Sequence, residues 1–369
     1  MNKKKQPDFI LFFIVAALVV FGVIMVFSSS YYNALDKYGD AFYFLKKDIV
    51  WAILGFIAMY LGSRIPYQLY RKFSVPIISI SLGLLILIFT PLGLELNNSV
   101  RWLQIGPITI MPGEFAKLAV IIFSSVYLSA SKNRIKSLRY GILPMLGLLG
   151  LFCGLIILQP NLSTAITVAG IIVGIMFVSG LNTIYLTGVI GLGAFGVTAL
   201  ILSDRDGYWM KRLTTFMNPF ADPKGDGWQV VQSILALGSG GLFGVGLGKS
   251  IQKTLYLPEP QNDFIFAIIG EELGFIGCVL LIIAYSFLIW RGLHIALKAP
   301  DLLGTLLASG ITIMIAVQVI LNIAVVTSSM PPTGIGLPFI SWGGNALVMF
   351  MFSIGILLNI SKYVVKQVK

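Results

Sequence analysis

Residues 140–203 read YGILPMLGLLGLFCGLIILQPNLSTAITVAGIIVGIMFVSGLNTIYLTGVIGLGAFGVTALILS, 64 residues without one charged side chain. Wound as a helix at 1.5 Å per residue, the stretch would run about 96 Å. The hydrocarbon core of a bilayer is only about 30 Å thick, so the stretch must cross more than once. Two breaks are legible. Gln159-Pro160-Asn161 interrupts the ladder because proline cannot donate to it, and Gly180-Leu181-Asn182 is a second turn signal. The reading is three crossings.

Working outward, Phe9 to Phe27 is a further uncharged run behind Lys3, Lys4 and Lys5. It is longer than the apolar core of a secretion signal and lacks a small-x-small cleavage site, so it reads as a retained first span. Further spans are expected over about Ile49–Gly62, Phe73–Thr90, Pro112–Ser129 and Asp263–Trp290. Leu302–Ser361 is expected to cross twice, divided by Pro331-Pro332-Thr333-Gly334-Ile335-Gly336-Leu337-Pro338. The expected fold is an all-α integral membrane protein, a polytopic bundle of ten transmembrane helices forming one domain over residues 1–369. A large extracellular loop, about 204–262, separates helices 7 and 8.

Composition agrees. The chain is 57% hydrophobic and 11% charged, with a mean hydropathy of +0.91. Soluble domains are roughly a quarter charged. A water-soluble enzyme and a disordered chain are therefore excluded. Cys153 and Cys278 both lie in apolar runs, which indicates neither a disulfide framework nor a zinc site.

The net charge of +11 is distributed unevenly. With the N-terminus inside, the inner segments hold 15 cations against Asp8 and Asp301, and the outer segments hold ten of each sign. Excess positive charge on one side is an orientation signal, placing both termini of a multi-pass membrane protein in the cytoplasm. It is not a nucleic-acid footprint.

The 204–262 segment has 59 residues, well above an ordinary connection. Trp209, Phe216, Phe220, Trp228, Leu235, Leu242 and Phe243 make it too apolar for a solvated linker. Gly227–Leu237 reads as a short helix lying in the interface, with a glycine-rich stretch after it. Gly244-Val245-Gly246-Leu247-Gly248-Lys249-Ser250 resembles a phosphate loop, but Phe243 stands where that motif needs its first glycine. What remains is a flexible loop whose backbone N–H groups, with Lys249 and Lys253, suit anions.

Within the spans, Glu114 and Lys117 are three residues apart on one helix face. Charges at that depth are paired and mark either a brace or a site. Glu271 and Glu272 are adjacent, so they point about 100° apart and do not form a coupled carboxylate pair. By spacing alone, Asp263 is a helix cap or dipole partner, and Asn161 is an N-cap. Gly170 and Gly174 form the small-xxx-small pattern of close helix packing. His294 is the single histidine and falls in an inner loop, so no histidine triad or metal site is available outside.

Taken together, these residues resemble the SEDS family (shape, elongation, division, sporulation), which includes FtsW, RodA and SpoVE. The resemblance covers nearly the whole chain. It is carried by Arg101-Trp102-Leu103-Gln104-Ile105-Gly106, Pro112-Gly113-Glu114-Phe115-Ala116-Lys117 and Gln159-Pro160-Asn161-Leu162-Ser163-Thr164-Ala165. The most specific match is Leu257-Pro258-Glu259-Pro260-Gln261-Asn262-Asp263-Phe264-Ile265-Phe266-Ala267, followed by Glu271-Glu272-Leu273-Gly274. The tail adds Pro331, Thr333-Gly334, Leu337-Pro338-Phe339-Ile340-Ser341 and Gly343-Gly344. Asn161 stands where the family often has aspartate, Asn262 where it usually has threonine, Gly113 where it usually has serine and Asn345 where it often has serine. The Gln252-Lys253 and Tyr256-Leu257-Pro258-Glu259 stretches look most like the division and sporulation branch.

The resemblance implies a glycosyltransferase that polymerises lipid II on the outer face of the membrane. Asp263 maps onto the family's proposed catalytic aspartate. Substrate contacts are expected at Arg101, Glu114, Lys117, Lys211, Arg212, Lys249, Lys253, Gln261 and Ser341. The chemistry is coherent. A sugar hydroxyl attacking an anomeric carbon needs a base, while the departing lipid pyrophosphate needs cations rather than an acid. No cofactor is demanded, and the one candidate is a divalent cation, magnesium or manganese. The implied partners are a class B penicillin-binding protein, met through membrane helices, and other division or elongation proteins, with no nucleic acid. The rival readings are a lipid II flippase and a non-catalytic cell-wall scaffold.

Overall fold

A computed structural model describes residues 6–96, 99–106, 108–131, 136–203, 207–223, 225 and 227–364. Of the cations expected on the inner side, Lys3, Lys4, Lys5, Lys132, Arg134, Lys366 and Lys369 lie outside the described residues, as does the start of the long segment at 204–206. The described chain forms twelve α-helices: α1 (Phe9–Tyr38), α2 (Tyr43–Arg64), α3 (Tyr70–Leu87), α4 (Pro112–Ser129), α5 (Leu143–Ile157), α6 (Leu162–Val178), α7 (Thr183–Ser203), α8 (Tyr208–Met217), α9 (Trp228–Ser239), α10 (Ile265–Leu297), α11 (Leu302–Val326) and α12 (Gly344–Ser361). Six helical segments are long and apolar enough to cross a membrane: α1, α3 with its lead-in turn from Tyr67, α5 with its lead-in turn from Leu138, α10, α11 and α12. Helix α6 and residues 183–199 of α7 are apolar but shorter.

Local chemistry sets the helix ends. Asp8 and Asp301 accept from Leu11 N and Gly304 N at the starts of α1 and α11, and Asn161 accepts from Thr164 N at the start of α6, as expected. The breaks at Gln159–Asn161 and Gly180–Asn182 fall where the sequence places them, and α4 has the bounds read from it. Burial is inverted relative to a soluble protein. Leu192 and Phe195 are 76% and 74% exposed, whereas Glu272 and Asn322 are fully enclosed. Such a surface is solvated by lipid, and polar groups must find partners inside. Helix α11 lies at the centre, packed against α4, α6, α10 and α12. Gly170 and Gly174 let α6 close on it, since a Cβ on Gly174 would sit 2.7 Å from Ile313 Cδ1.

Three features depart from the sequence reading. Between α3 and α4 the chain folds into an antiparallel sheet of order β1-β2-β3, with β1 Gly93–Leu96, β2 Ser99–Ile105 and β3 Ile108–Ile110. Its Thr109 carbonyl accepts from Asn345 Nδ2 at 2.9 Å, which docks the sheet beside α12. Helix α9 is anchored inside the protein along one face, a contact absent from the sequence reading. Val230, Val231, Gln232, Ser233 and Ala236 are buried, and Ser233 Oγ donates to Val326 O at the end of α11.

The third departure is in α10, which is not one continuous rod. Gly274 adopts φ 69°, ψ −169°, in a conformation open only to glycine, and breaks the ladder. The glycine-rich segment fills the gap. Val245 and Gly246 donate to the carbonyls of Glu271 and Glu272, and Phe275 and Ile276 donate to those of Gly241 and Leu242. Those N–H groups are therefore committed to α10 and do not form an anion nest. Lys253 is likewise committed. It is 2% exposed and pairs with Glu272 at 2.6 Å, with Ser28 Oγ of α1 completing the cluster. Glu271 turns the other way, as adjacency requires, and accepts from Ser250 Oγ and the Ile251 and Gln252 amides.

Breaking a buried ion pair strands one charge and costs about 3–5 kcal/mol, whereas removing both charges is far milder. Lys253→Met should lower the thermal unfolding temperature of the detergent-purified protein more than Lys253→Met with Glu272→Gln does. Equal losses in a fluorescence-detected melt would show that the two charges do not depend on each other.

Candidate functional site

At the end of the bundle where α6, α10 and α12 begin, an extended segment, residues 330–338, passes across the helix ends. It lacks regular secondary structure, so its carbonyls need side-chain donors. Arg212 Nη1 of α8 donates to Pro332 O. Ser163 Oγ of α6 donates to Thr333 O at 2.7 Å. Asn322 Nδ2 and Gln318 Nε2, one turn apart on α11, donate to Ile335 O at 2.7 Å and Gly336 O at 3.1 Å. Four carbonyls are thus held by three helices.

Asp263 belongs to the same assembly. Asn322 Nδ2 also donates to the Asp263 carbonyl at 2.7 Å. The Asp263 carboxylate reaches toward Gly334, where a Cβ would stand 3.5 Å from Asp263 Oδ2 and 3.7 Å from Arg101 Nη1. Gly334 has φ 69°, and its missing side chain keeps that space open. Arg101, on β2, is oriented by donating to Pro160 O at the α5–α6 junction. The capping reading of Asp263 fails. Helix α10 starts at Ile265 behind Phe264, with no side-chain cap.

Burial pushes the Asp263 carboxyl above the usual carboxylate range. Its own N–H opposes that shift, Glu259 adds to it, and Arg212 and Arg101 pull it back. Glu259 is held at φ 43° and accepts from Asn262 Nδ2 at 2.8 Å. A half-buried carboxyl with a raised pKa between two guanidinium groups can accept a proton and then release it.

The remaining expected residues divide. Gln261 is buried beside Asp263, its Oε1 without a hydrogen-bond partner and its carbonyl taken by Trp342 N. Lys211 and Lys249 are exposed. Three of the expected contacts are already engaged within the protein. Lys253 is locked to Glu272, too buried to receive an anion. Ser341 Oγ accepts from Leu337 N and closes a turn. Lys117, 1% exposed, is saturated by Glu114 at 2.8 Å, Gln318 Oε1 at 2.7 Å and the Phe350 ring 5.0 Å away. Glu114 and Lys117 are a brace joining α4, α11 and α12, one hydrogen bond removed from Gly336 through Gln318.

Sequence reasoning missed Gln318 and Asn322, and met Gly334 only as part of the Thr333-Gly334 match, without a role. The two amides sit four residues apart in an uncharged membrane run, and that isolated polarity was the available signal. Among the described residues no group of three or more His, Cys, Asp or Glu side chains could hold a metal ion. Asp263 with Glu259 suits only a hard cation that takes its other ligands from phosphate oxygens and water.

The family model described as "Cell cycle protein", FTSW_RODA_SPOVE, matches residues 9–366. Stage V sporulation protein E of Bacillus subtilis is 44% identical over 365 residues, covering 98% of this chain and 99% of that protein. A probable peptidoglycan glycosyltransferase FtsW of Trichlorobacter lovleyi is 39% identical over 358 residues, 96% of this chain and 93% of that one. Among solved structures, a chain from a study of polymerization and crosslinking by a peptidoglycan synthase complex superposes with a TM-score of 0.78 at 28% identity, covering 96% and 97%. The rod shape determining protein RodA of Thermus thermophilus gives 0.72 at 27% identity, covering 98% of each chain. Matched over nearly its whole length by family model, curated relatives and solved folds, the chain belongs to the FtsW/RodA/SpoVE family of SEDS proteins.

Proposed function

We propose that this chain is a peptidoglycan glycosyltransferase that polymerises lipid II into glycan strands at the outer face of the cytoplasmic membrane. The observation that carries the reading is the Asp263 carboxyl, raised in pKa by burial and set with Arg101 about the open space at Gly334. In the reaction Asp263 takes the proton of the attacking sugar hydroxyl as its oxygen bonds to the anomeric carbon of the donor. The bond from that carbon to the lipid pyrophosphate breaks, and the pyrophosphate leaves as an anion. Arg101 and Arg212, already aimed by the Pro160 and Pro332 carbonyls, are the cations placed to stabilise it. A magnesium or manganese ion, where used, would be held by Asp263 and pyrophosphate oxygens and would neutralise the leaving group.

A ten-span topology with both termini cytoplasmic completes the six clear spans with α2, α4, α6 and α7. The cation excess on the inner segments supports it. A solved relative studied for coordinated polymerization and crosslinking supports a class B penicillin-binding protein as partner. A flippase would need a polar route through the bundle, and the saturated, enclosed Glu114–Lys117 pair supplies none.

Purified protein given labelled lipid II, with and without its partner, should produce glycan chains, and translocation without polymer would overturn the proposal. Asp263→Asn should lower the rate about 10²–10⁴-fold with an unchanged melting temperature. The base must be ionised, so activity should rise with pH through the raised Asp263 pKa. Glu259 raises that pKa, so Glu259→Gln should move the acid limb of kcat/KM to lower pH. An unmoved limb would assign the base elsewhere.

Topology has its own check. Reporters fused after Asp222 should read outside and those after Lys136 and Leu293 inside. A cytoplasmic signal from Asp222 would put Asp263 on the wrong face for a lipid-linked donor delivered outside.

A further inference from the structure

Among the described residues four acidic side chains are buried, Asp48, Glu114, Glu271 and Glu272. The three glutamates have partners in Lys117, the turn at residues 250–252 and Lys253. Asp48 of α2 is 4% exposed and makes neither a hydrogen bond nor an ion pair with a described residue. Its surroundings follow from the helix face it occupies. Phe44, one turn before it, sets its ring 5.0 Å from the Trp342 ring. Trp51, three residues after it, packs on Gly344, where a Cβ would fall 2.1 Å from the indole Cδ2. Asp48 therefore faces the Trp342–Gly344 turn from which α12 starts. That turn is bonded to the loop before Asp263, Trp342 N donating to Gln261 O at 2.9 Å. Two more polar atoms of these residues are buried without partners, Trp342 Nε1 and Gln261 Oε1.

A carboxylate taken out of water without a partner is either neutralised or met by a cation. The start of α12 has no side-chain cap, and its positive end favours the ionised form of Asp48. We infer that Asp48 and Gln261 Oε1 hold a monovalent metal cation between α2 and the loop that carries Asp263. A carboxylate oxygen and an amide oxygen are the hard ligands such an ion takes. The second carboxylate oxygen is left for the Trp342 indole N–H. One positive charge cancels Asp48, whereas a divalent ion would leave a charge enclosed in the bundle. The site is distinct from a magnesium or manganese ion at Asp263, which would take its other ligands from pyrophosphate and water. The bound ion ties the α2 scaffold to the Asp263 loop, and it does so whether or not Asp263 is the base of a polymerase.

The test is a melt of the full chain in lipid nanodiscs at constant ionic strength, with N-methylglucamine chloride replaced stepwise by sodium chloride and, separately, by potassium chloride. Above its Kd, an ion that binds only the folded chain raises the folding equilibrium constant about tenfold for each tenfold rise in its concentration. The wild-type melting temperature should therefore climb with the logarithm of sodium or potassium, the larger response naming the ion. Asp48→Asn keeps the shape and removes the charge, so its melting temperature should be the same in all three salts. In wild type the ion should also slow hydrogen–deuterium exchange in residues 259–264 and 342–346. Gln261→Leu removes the amide oxygen and should shift the ion response to higher concentration, which keeps the test available if Asp48→Asn does not fold. A wild type indifferent to both ions would overturn the site and leave Asp48 neutral or held by the helix end alone. An undiminished response in Asp48→Asn would place the ion elsewhere and overturn it equally.

Discussion

The end of the bundle that carries Asp263 depends on one constraint, the supply of hydrogen-bond donors to an irregular segment at the ends of apolar helices. Residues 332–336 have no helix or sheet to satisfy their carbonyls, and a buried unmet carbonyl costs about 1–3 kcal/mol. Arg212, Ser163, Asn322 and Gln318 meet four of them. Because Asn322 also holds the Asp263 carbonyl, the same amide that settles the segment sets the carboxylate opposite Gly334. Site geometry is in this sense a by-product of backbone satisfaction. Gln318 extends the arrangement downward to Lys117, so the intramembrane ion pair, the segment and the catalytic candidate form one connected set.

The same economy explains α10. An apolar helix that breaks at Gly274 exposes the Glu271 and Glu272 carbonyls, and the glycine-rich segment supplies their donors while offering its own carbonyls to Phe275 and Ile276. The two glutamates then use their side chains separately, one to cap residues 250–252 and one to hold Lys253. The loop leading to Asp263 is therefore anchored twice before the carboxylate is reached. A site on a loop so fixed loses little on binding substrate, because the ordering has already been done.

Much of this was legible in the sequence, and the rest was not for identifiable reasons. The approximate bounds read for α4 match its helix, and proline and glycine located both breaks in the 140–203 run, because those are local effects. Glu114 with Lys117 was legible because three-residue spacing fixes a shared helix face. Asp263 came from the family resemblance, since its spacing alone read as a cap. The sheet at 93–110 was missed because three short strands of mixed polarity look like a connection between spans. Gly274 was missed because a single glycine inside an apolar run is ordinarily tolerated in a helix. Lys253 was misread because its second partner, Ser28, is 225 residues away. Gln318 and Asn322 carry no motif of their own. Only their partners, the Ile335, Gly336 and Asp263 carbonyls, give them meaning.

The claim that donors from α11 hold the site is most directly tested by hydrogen–deuterium exchange on Asn322→Leu. Leucine keeps the volume and removes both donations, so residues 332–342 and the 259–264 turn should exchange faster while the cores of α4, α6 and α11 stay protected as in wild type. Unchanged exchange across 332–342 would contradict the account and show that the segment is held by something other than the side-chain amide beneath it.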